Sequence, residues 1–204
     1  MIRLEKTEVL GWESAIRGAR NPMNSWNRCD TTFDKLGDVL MGSNDYNLLM
    51  KLAKAGSDHR KYMRMITVYV DITAPLYWWK EFDTYKVGTT ANSCSTMHKI
   101  HSKELTLDDF SCERLSARRT LILSDYINEI NYAREQFLET KDKAYWYEMI
   151  QMLPSSFNQK RTIMLNYEVL RNMYHARKNH KLDEWHTLCD WIKFLPYSEL
   201  IIGE

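Results

Sequence analysis

Hydrophobic positions recur along this chain at two spacings, and each switch between them marks an element. Loose alternation from Ile2 to Leu10 predicts a strand, and Ala15, Ile16 and Ala19 at helical spacing predict a helix from Trp12 to Arg20, stopped by Asn21-Pro22. Residues 23–43 carry Asn24, Asn27, Asp30 and Gly37 without periodicity and read as a long loop. A helix follows from Asn44 to Ala55, with Leu48, Leu49 and Leu52 on its buried face and Gly56 just past its end. The clearest strand is Met65 to Thr73, where β-branched residues dominate and Ile66, Val68, Val70 and Ile72 fall on one face.

Pro75 suits the first turn of the next helix, expected to run through Lys86. Leu123, Ile127, Ile130 and Phe137 predict the longest helix, from Leu121 to Glu139, while 106–119 shows no clear period. A short aromatic helix from Ala144 to Leu153 ends at Pro154, and Arg161 to Leu165 is extended before a helix from Asn166 to Lys178. Leu182 to Leu195 is the last expected helix. Two or three core strands covered by helices make an α+β fold, and no linker or repeat interrupts residues 1–204, so a single domain is expected.

Composition narrows the function classes. With 44% hydrophobic and 12% aromatic residues the chain is not disordered, and 28 basic against 27 acidic residues leave no global field for nucleic acid or a membrane surface. Cys29, Cys94, Cys112 and Cys189 are too widely spaced for a zinc ribbon or a disulfide scaffold. No apolar run is long enough to span a bilayer and the start lacks a leader pattern, so a cytoplasmic location is expected.

One segment departs from structural economy. Residues 87–98, Val-Gly-Thr-Thr-Ala-Asn-Ser-Cys-Ser-Thr-Met-His, are small and polar, and such side chains compete with the backbone for hydrogen bonds. Held after the aromatic segment from Leu76 to Phe82, they read as a ligand loop. Other constellations have plainer readings. His98 and His101 share a face if helical, yet no carboxylate or cysteine completes a metal set at a matching interval, so no metal is assigned. Cys94 with His98 lacks the glycine-rich turn that exposes a nucleophile and reads better as a buried thiol. Trp78, Trp79, Trp146 and Trp191 read as core. Asn166 and Asn172 interrupt an amphipathic pattern; capping and exposure explain them as well as a ligand role does.

Two blocks resemble the flavin-dependent thymidylate synthases (ThyX). Ser14-Ala-Ile-Arg-Gly-Ala-Arg20 is similar to the family's alanine- and arginine-rich first helix, with Pro22 in place of its following serine. The signature Arg-His-Arg-x-x-Ser-x-Asn-x-x-Ser-x-Arg corresponds to Thr84-Tyr85-Lys86-Val87-Gly88-Thr89, one inserted residue, then Asn92 to Met97. Thr89, Asn92 and Ser95 keep its polar character and Lys86 keeps one cation, whereas Thr84, Tyr85 and Met97 do not keep the arginine, the histidine and the final arginine. From Leu153-Pro154 through Asn166, Asn172 and Ala176-Arg177 the similarity needs no gap, with Ile150 where the family has a phosphate-binding arginine.

The resemblance implies a ThyX-like single domain with a small sheet and a long central helix, and a homotetrameric FAD enzyme that methylates dUMP using methylenetetrahydrofolate and NADPH. It implies His59, Lys86, Asn92, Asn166 and Asn172 as cofactor-binding residues, Thr89, Ser95 and Arg177 as substrate-binding residues, and Arg177 as the catalytic anchor of the pyrimidine. Three missing arginines forfeit charge-assisted hydrogen bonds of roughly 1.5–3 kcal/mol each, so a shifted pyrimidine-nucleotide substrate is expected. The alternatives are a ThyX-fold interaction protein without cofactor and, on the histidine pair alone, a metal hydrolase.

Overall fold

The computed structural model describes residues 2–203. Its elements in chain order are β1 (Arg3–Leu10), α1 (Trp12–Arg20), β2 (Thr32–Phe33), β3 (Val39–Leu40), α2 (Ser43–Lys54), β4 (Thr67–Pro75), α3 (Leu76–Phe82), β5 (Thr90–Ser93), α4 (Ala117–Thr140), α5 (Lys143–Gln151), β6 (Asn158–Asn166), α6 (Tyr167–Arg177), α7 (Asp183–Lys193) and α8 (Glu199–Ile202). Four strands form one sheet in the order β1-β4-β6-β5, and β2 and β3 form a separate hairpin. The Tyr167 amide donates to the Ile66 carbonyl and the Leu76 amide to the Phe157 carbonyl, so β4 and β6 run antiparallel. Ile66, Val68, Val70 and Ile72 are all buried, as the alternation predicts.

The chain folds into two compact units. One holds Ile72–Thr84 and Asn92–Thr162 with the first residues of the chain; the other holds Leu4–Asp71, Tyr85–Ala91 and everything from Ile163 onward. In the first unit α4, the longest helix, packs on α5 around Ile127, Ile130, Ala133 and Met149, with Ile100, Leu105 and Phe110 closing the cluster. Buried Asn131 on α4 both donates to and accepts from the Leu105 backbone, which satisfies its amide inside an apolar shell. In the second unit α6 packs against α7 and α8. Arg171 of α6 donates through Nη1 to the carbonyls of Leu200 and Ile201 (3.1 and 2.8 Å), tying down the end of α8.

Four departures from the sequence expectations have physical causes. The helix after Pro75 stops at Phe82, four residues early, because the Thr84 hydroxyl and amide both donate to the Glu81 carbonyl (2.7 and 3.2 Å) and Asp83 turns outward to Arg161 (2.7 Å). The polar stretch is not wholly loop, since Thr90–Ser93 forms β5 at the sheet edge, and the sheet has four strands rather than two or three. With all four residues exposed, β5 is held by backbone pairing and carries no hydrophobic period. The long loop over 23–43 follows a 3-10 turn at Asn21–Met23 and contains a second at Trp26–Arg28 and the β2–β3 hairpin. Cys94 is exposed rather than buried, its amide donating to the Lys160 carbonyl at 2.9 Å.

Candidate functional site

The polar stretch is shared between the two units, and with it the expected site residues. In the second unit, two segments are anchored on α6, the second of them at both ends of the helix. Near its start, Arg60 donates through Nε to Glu168 at 2.8 Å, which fixes the turn carrying exposed His59. Gly88 adopts φ +74 and lies so close that an added Cβ would sit 2.9 Å from Asn166 Nδ2 and 3.2 Å from Val169 Cγ2. Only glycine meets both requirements without strain, so the loop from Tyr85 to Ala91 is seated on the first turn of α6. At the end of α6, Tyr85 Oη accepts from Arg177 Nε at 2.9 Å, and the guanidinium lies 4.6 Å from the Trp185 ring centroid. Asn166 and Arg177 are separated by about 16 Å along the axis at 1.5 Å per residue, so the candidates form two clusters.

Within these clusters the side chains differ in what they have left to offer. Asn166 is the N-cap of α6, accepting from the Val169 amide at 3.0 Å, so its carbonyl oxygen already has a structural role. Asn172 is exposed in the middle of α6, and Lys86 is exposed in the loop. The Thr89 hydroxyl is buried with no hydrogen-bond partner among the described residues.

In the first unit, Asn92 is exposed on β5 and Ser95 follows it. Ser95 Oγ accepts from the amides of Met97 and His98 (3.1 and 2.9 Å), forming a tight turn. Ser95 and Cys94 line a cleft of about 450 Å³ whose wall includes Lys99, Lys103 and Lys160. Lys103 is paired with Asp109, and by formal charge three lysines against one carboxylate leave the lining net positive. Gln159 supports this wall, donating from Nε2 to the Cys94 carbonyl at 2.7 Å while its Oε1 accepts from Arg161. His101 keeps its ring against Phe137, and no group of three metal-ligating side chains occurs among the described residues. Trp78 and Trp79 are core, as expected, whereas Trp146 and Trp191 are only partly buried. No helix of the described residues is long and apolar enough to cross a membrane.

No protein-family model and no curated protein sequence matches this chain. Solved structures do. Thymidylate synthase X (ThyX) from Helicobacter pylori with FAD and dUMP superposes with a TM-score of 0.72 at 14% identity, covering 100% of this chain and 98% of that one. A second structure of the flavin-dependent thymidylate synthase ThyX from the same organism, complexed with FAD and dUMP, gives 0.70 at 14% identity, with 99% and 98% covered. This chain has the ThyX fold.

As a divergent ThyX fold, the chain keeps the architecture while its sequence has drifted far, and some positions singled out by the resemblance have acquired other work. Ile150 is partly buried and packs against the apolar cluster of the first unit. Tyr85, standing for the signature histidine, binds Arg177.

Sequence reasoning missed one polar centre of this ThyX fold. Asp45 on α2 is fully buried and accepts from Arg20 Nε (2.6 Å), the Asp30 and Thr31 amides (3.0 and 2.9 Å), the Thr31 hydroxyl (2.7 Å) and the Cys29 thiol (3.3 Å). Burial pushes its carboxyl up, but these donors together outweigh that and hold it at about 2. Its signal lay in the spacing: Asp45 shares the 45, 49, 53 stripe with buried Leu49 and Ala53, and a charge on an apolar stripe needs a buried partner.

Proposed function

We propose that this chain is a ThyX-like protein that binds FAD and a pyrimidine nucleotide at a subunit interface of a homotetramer, with its single 204-residue domain adapted to a substrate other than standard dUMP or to an altered turnover. The observation that carries this reading is the basic cleft at Ser95. Lys103 is held by Asp109, so Lys99 and Lys160 bring there the positive charge missing from the signature arginines, and ammonium groups are sufficient point charges for a phosphate, though without the bidentate geometry of arginine. Neither H. pylori structure is close enough in sequence to transfer residue roles; both support the reading by holding FAD and dUMP in this fold.

The residues present suit a flavin. The Thr89 hydroxyl is buried and without a partner among the described residues, and Lys86, His59 and Asn172 offer exposed donors to carbonyl and phosphate oxygens. A bound flavin supplies the redox and one-carbon chemistry, with NADPH and methylenetetrahydrofolate as co-reactants if methylation of a pyrimidine is retained. The chain's own part is to bind and orient: Thr89 and Asn172 toward the flavin, Ser95 and the lysines toward a phosphate, Arg177 toward a pyrimidine carbonyl.

The test combines the visible spectrum of the purified protein with titrations of FAD, dUMP and deoxyuridine. We expect flavin absorbance or FAD uptake, and dUMP bound at least tenfold more tightly than deoxyuridine, with the advantage lost in Lys99→Ala/Lys160→Ala. No flavin by either route, together with equal affinity for the two pyrimidines, defeats the reading. A second reading, an interaction protein without cofactor, is favoured by one observation: Arg177 already has Tyr85 and Trp185 as internal partners. Under it, Tyr85→Phe changes stability and no nucleotide binding is found.

A further inference from the structure

A second cleft, of about 520 Å³, opens in the unit that contains α1 and α2, and none of the residues assigned above to a flavin or a nucleotide lines it. One wall is a single face of α1, with Glu13, Ile16, Arg17 and Arg20 spaced three and four apart; the other includes Trp26 and Phe33 from the segment that Asp45 organises. Trp26 and Phe33 are 50% and 40% exposed, so large parts of both rings face open space. The indole NH is already used by Asn21 at 2.8 Å, which leaves the ring faces as what Trp26 can offer.

Arg20 gives the cleft its chemical character. It is only 3% exposed; Nε is held by Asp45, Nη1 by the Ser25 carbonyl at 3.2 Å, and Nη2 is buried with no hydrogen-bond partner among the described residues. An enclosed donor without an acceptor is costly, and the cleft that Arg20 lines is where an acceptor can arrive. Charge decides which acceptor. Arg20 is neutralised by Asp45, and Arg17 at the rim is offset by Glu13 at 3.8 Å, so the lining has no net charge with which to hold an anion.

We propose that this cleft is a binding site for a neutral planar aromatic ring bearing a carbonyl, of the aryl amide or lactam type, with the ring against Trp26, Phe33 and Ile16 and the carbonyl oxygen accepting from Arg20 Nη2. Apolar walls with one placed donor are the usual make-up of a small-molecule site, and the volume falls in the usual range. The site is independent of flavin or nucleotide binding and stands or falls separately from them.

The experiment uses saturation-transfer NMR on the full chain, with benzamide, benzoate and cyclohexanecarboxamide as probes. Benzamide is expected to bind with a Kd of about 1 mM or tighter, and at least fivefold more tightly than either of the others. Trp26→Ala and Phe33→Ala, both at half-exposed positions, should each weaken benzamide at least fivefold. Arg20→Lys, which keeps a cation beside Asp45 but loses the second nitrogen, should weaken benzamide and cyclohexanecarboxamide alike, at least fivefold, because both present the same carbonyl; if that variant fails to fold, the two wall variants and the probe ranking decide. Benzoate binding as well as benzamide, wall variants that leave benzamide unchanged, or no transfer to benzamide at all, overturns the proposal.

Discussion

Two polar regions of the same unit have been treated in opposite ways. Around Asp45, five donors converge on one buried carboxylate, and the segment 29–31 takes its shape from it. Along α6 and the loop from Tyr85 to Ala91, Lys86, His59 and Asn172 stand exposed and the Thr89 hydroxyl is buried without a partner among the described residues. Polar groups consumed by folding rigidify a structure, whereas groups left open by it are what a ligand can use. In this fold the contrast separates the two kinds of residue more clearly than residue type does, since arginine and asparagine occur in both regions.

The sharpest way to break that contrast is to remove the buried carboxylate. Asp45→Ala leaves Arg20 charged, enclosed and unmatched, and should lower unfolding free energy by about 3–5 kcal/mol in urea titrations. A loss below about 1 kcal/mol would show that the Asp45 centre is not structural.

Acid probes the same centre without mutation. The folded carboxyl titrates near 2, below its ordinary value of 3.8, so its contribution is fully present above about pH 4 and is lost as pH falls through 2. The shift corresponds to about 2 kcal/mol, readable as a drop in urea midpoint between pH 5 and pH 2 that is smaller in Asp45→Asn. An equal drop in wild type and variant would assign acid lability elsewhere.

Gly88→Ala tests the seating of the loop on α6. The positive φ and the close approach to Asn166 should cost about 1–2 kcal/mol, measured by thermal or urea unfolding. If stability is unchanged, the loop is not held there.

The smallest stability effect belongs to the most exposed candidate. Asn172→Ala should change unfolding free energy by no more than about 0.5 kcal/mol. Its value lies in affinity: a fivefold or greater loss of FAD binding at unchanged stability marks Asn172 as open for a ligand, and no loss returns it to the solvated face.

Several elements were legible from period alone. The strand alternation of Ile66, Val68, Val70 and Ile72 and the boundaries of α1 and α6 appear in the structure as the residues dictate, because burial of an apolar stripe is a local, repeating demand. Edge strand β5 was not legible: Thr-Ala-Asn-Ser buries nothing and pairs only through its backbone. The early end of α3 was hidden because it depends on the Thr84 cap and on Asp83 meeting Arg161 far along the chain. For the candidate site, residue type alone picked out the polar stretch and the asparagines of α6. It could not tell Asn166, engaged as a cap, from Asn172, left exposed, nor find Arg20 and Asp45 as partners.

By itself, then, the sequence determined most of the helices and the central strands, which rest on spacings within a few residues, the even charge balance, which is composition, and a resemblance to ThyX strong enough to name the architecture. Tertiary structure alone decided which polar groups are spent and which are open. That distinction depends on partners 25, 78 or 92 positions away, as for Arg20 with Asp45, Asp83 with Arg161 and Tyr85 with Arg177, and no local period encodes them.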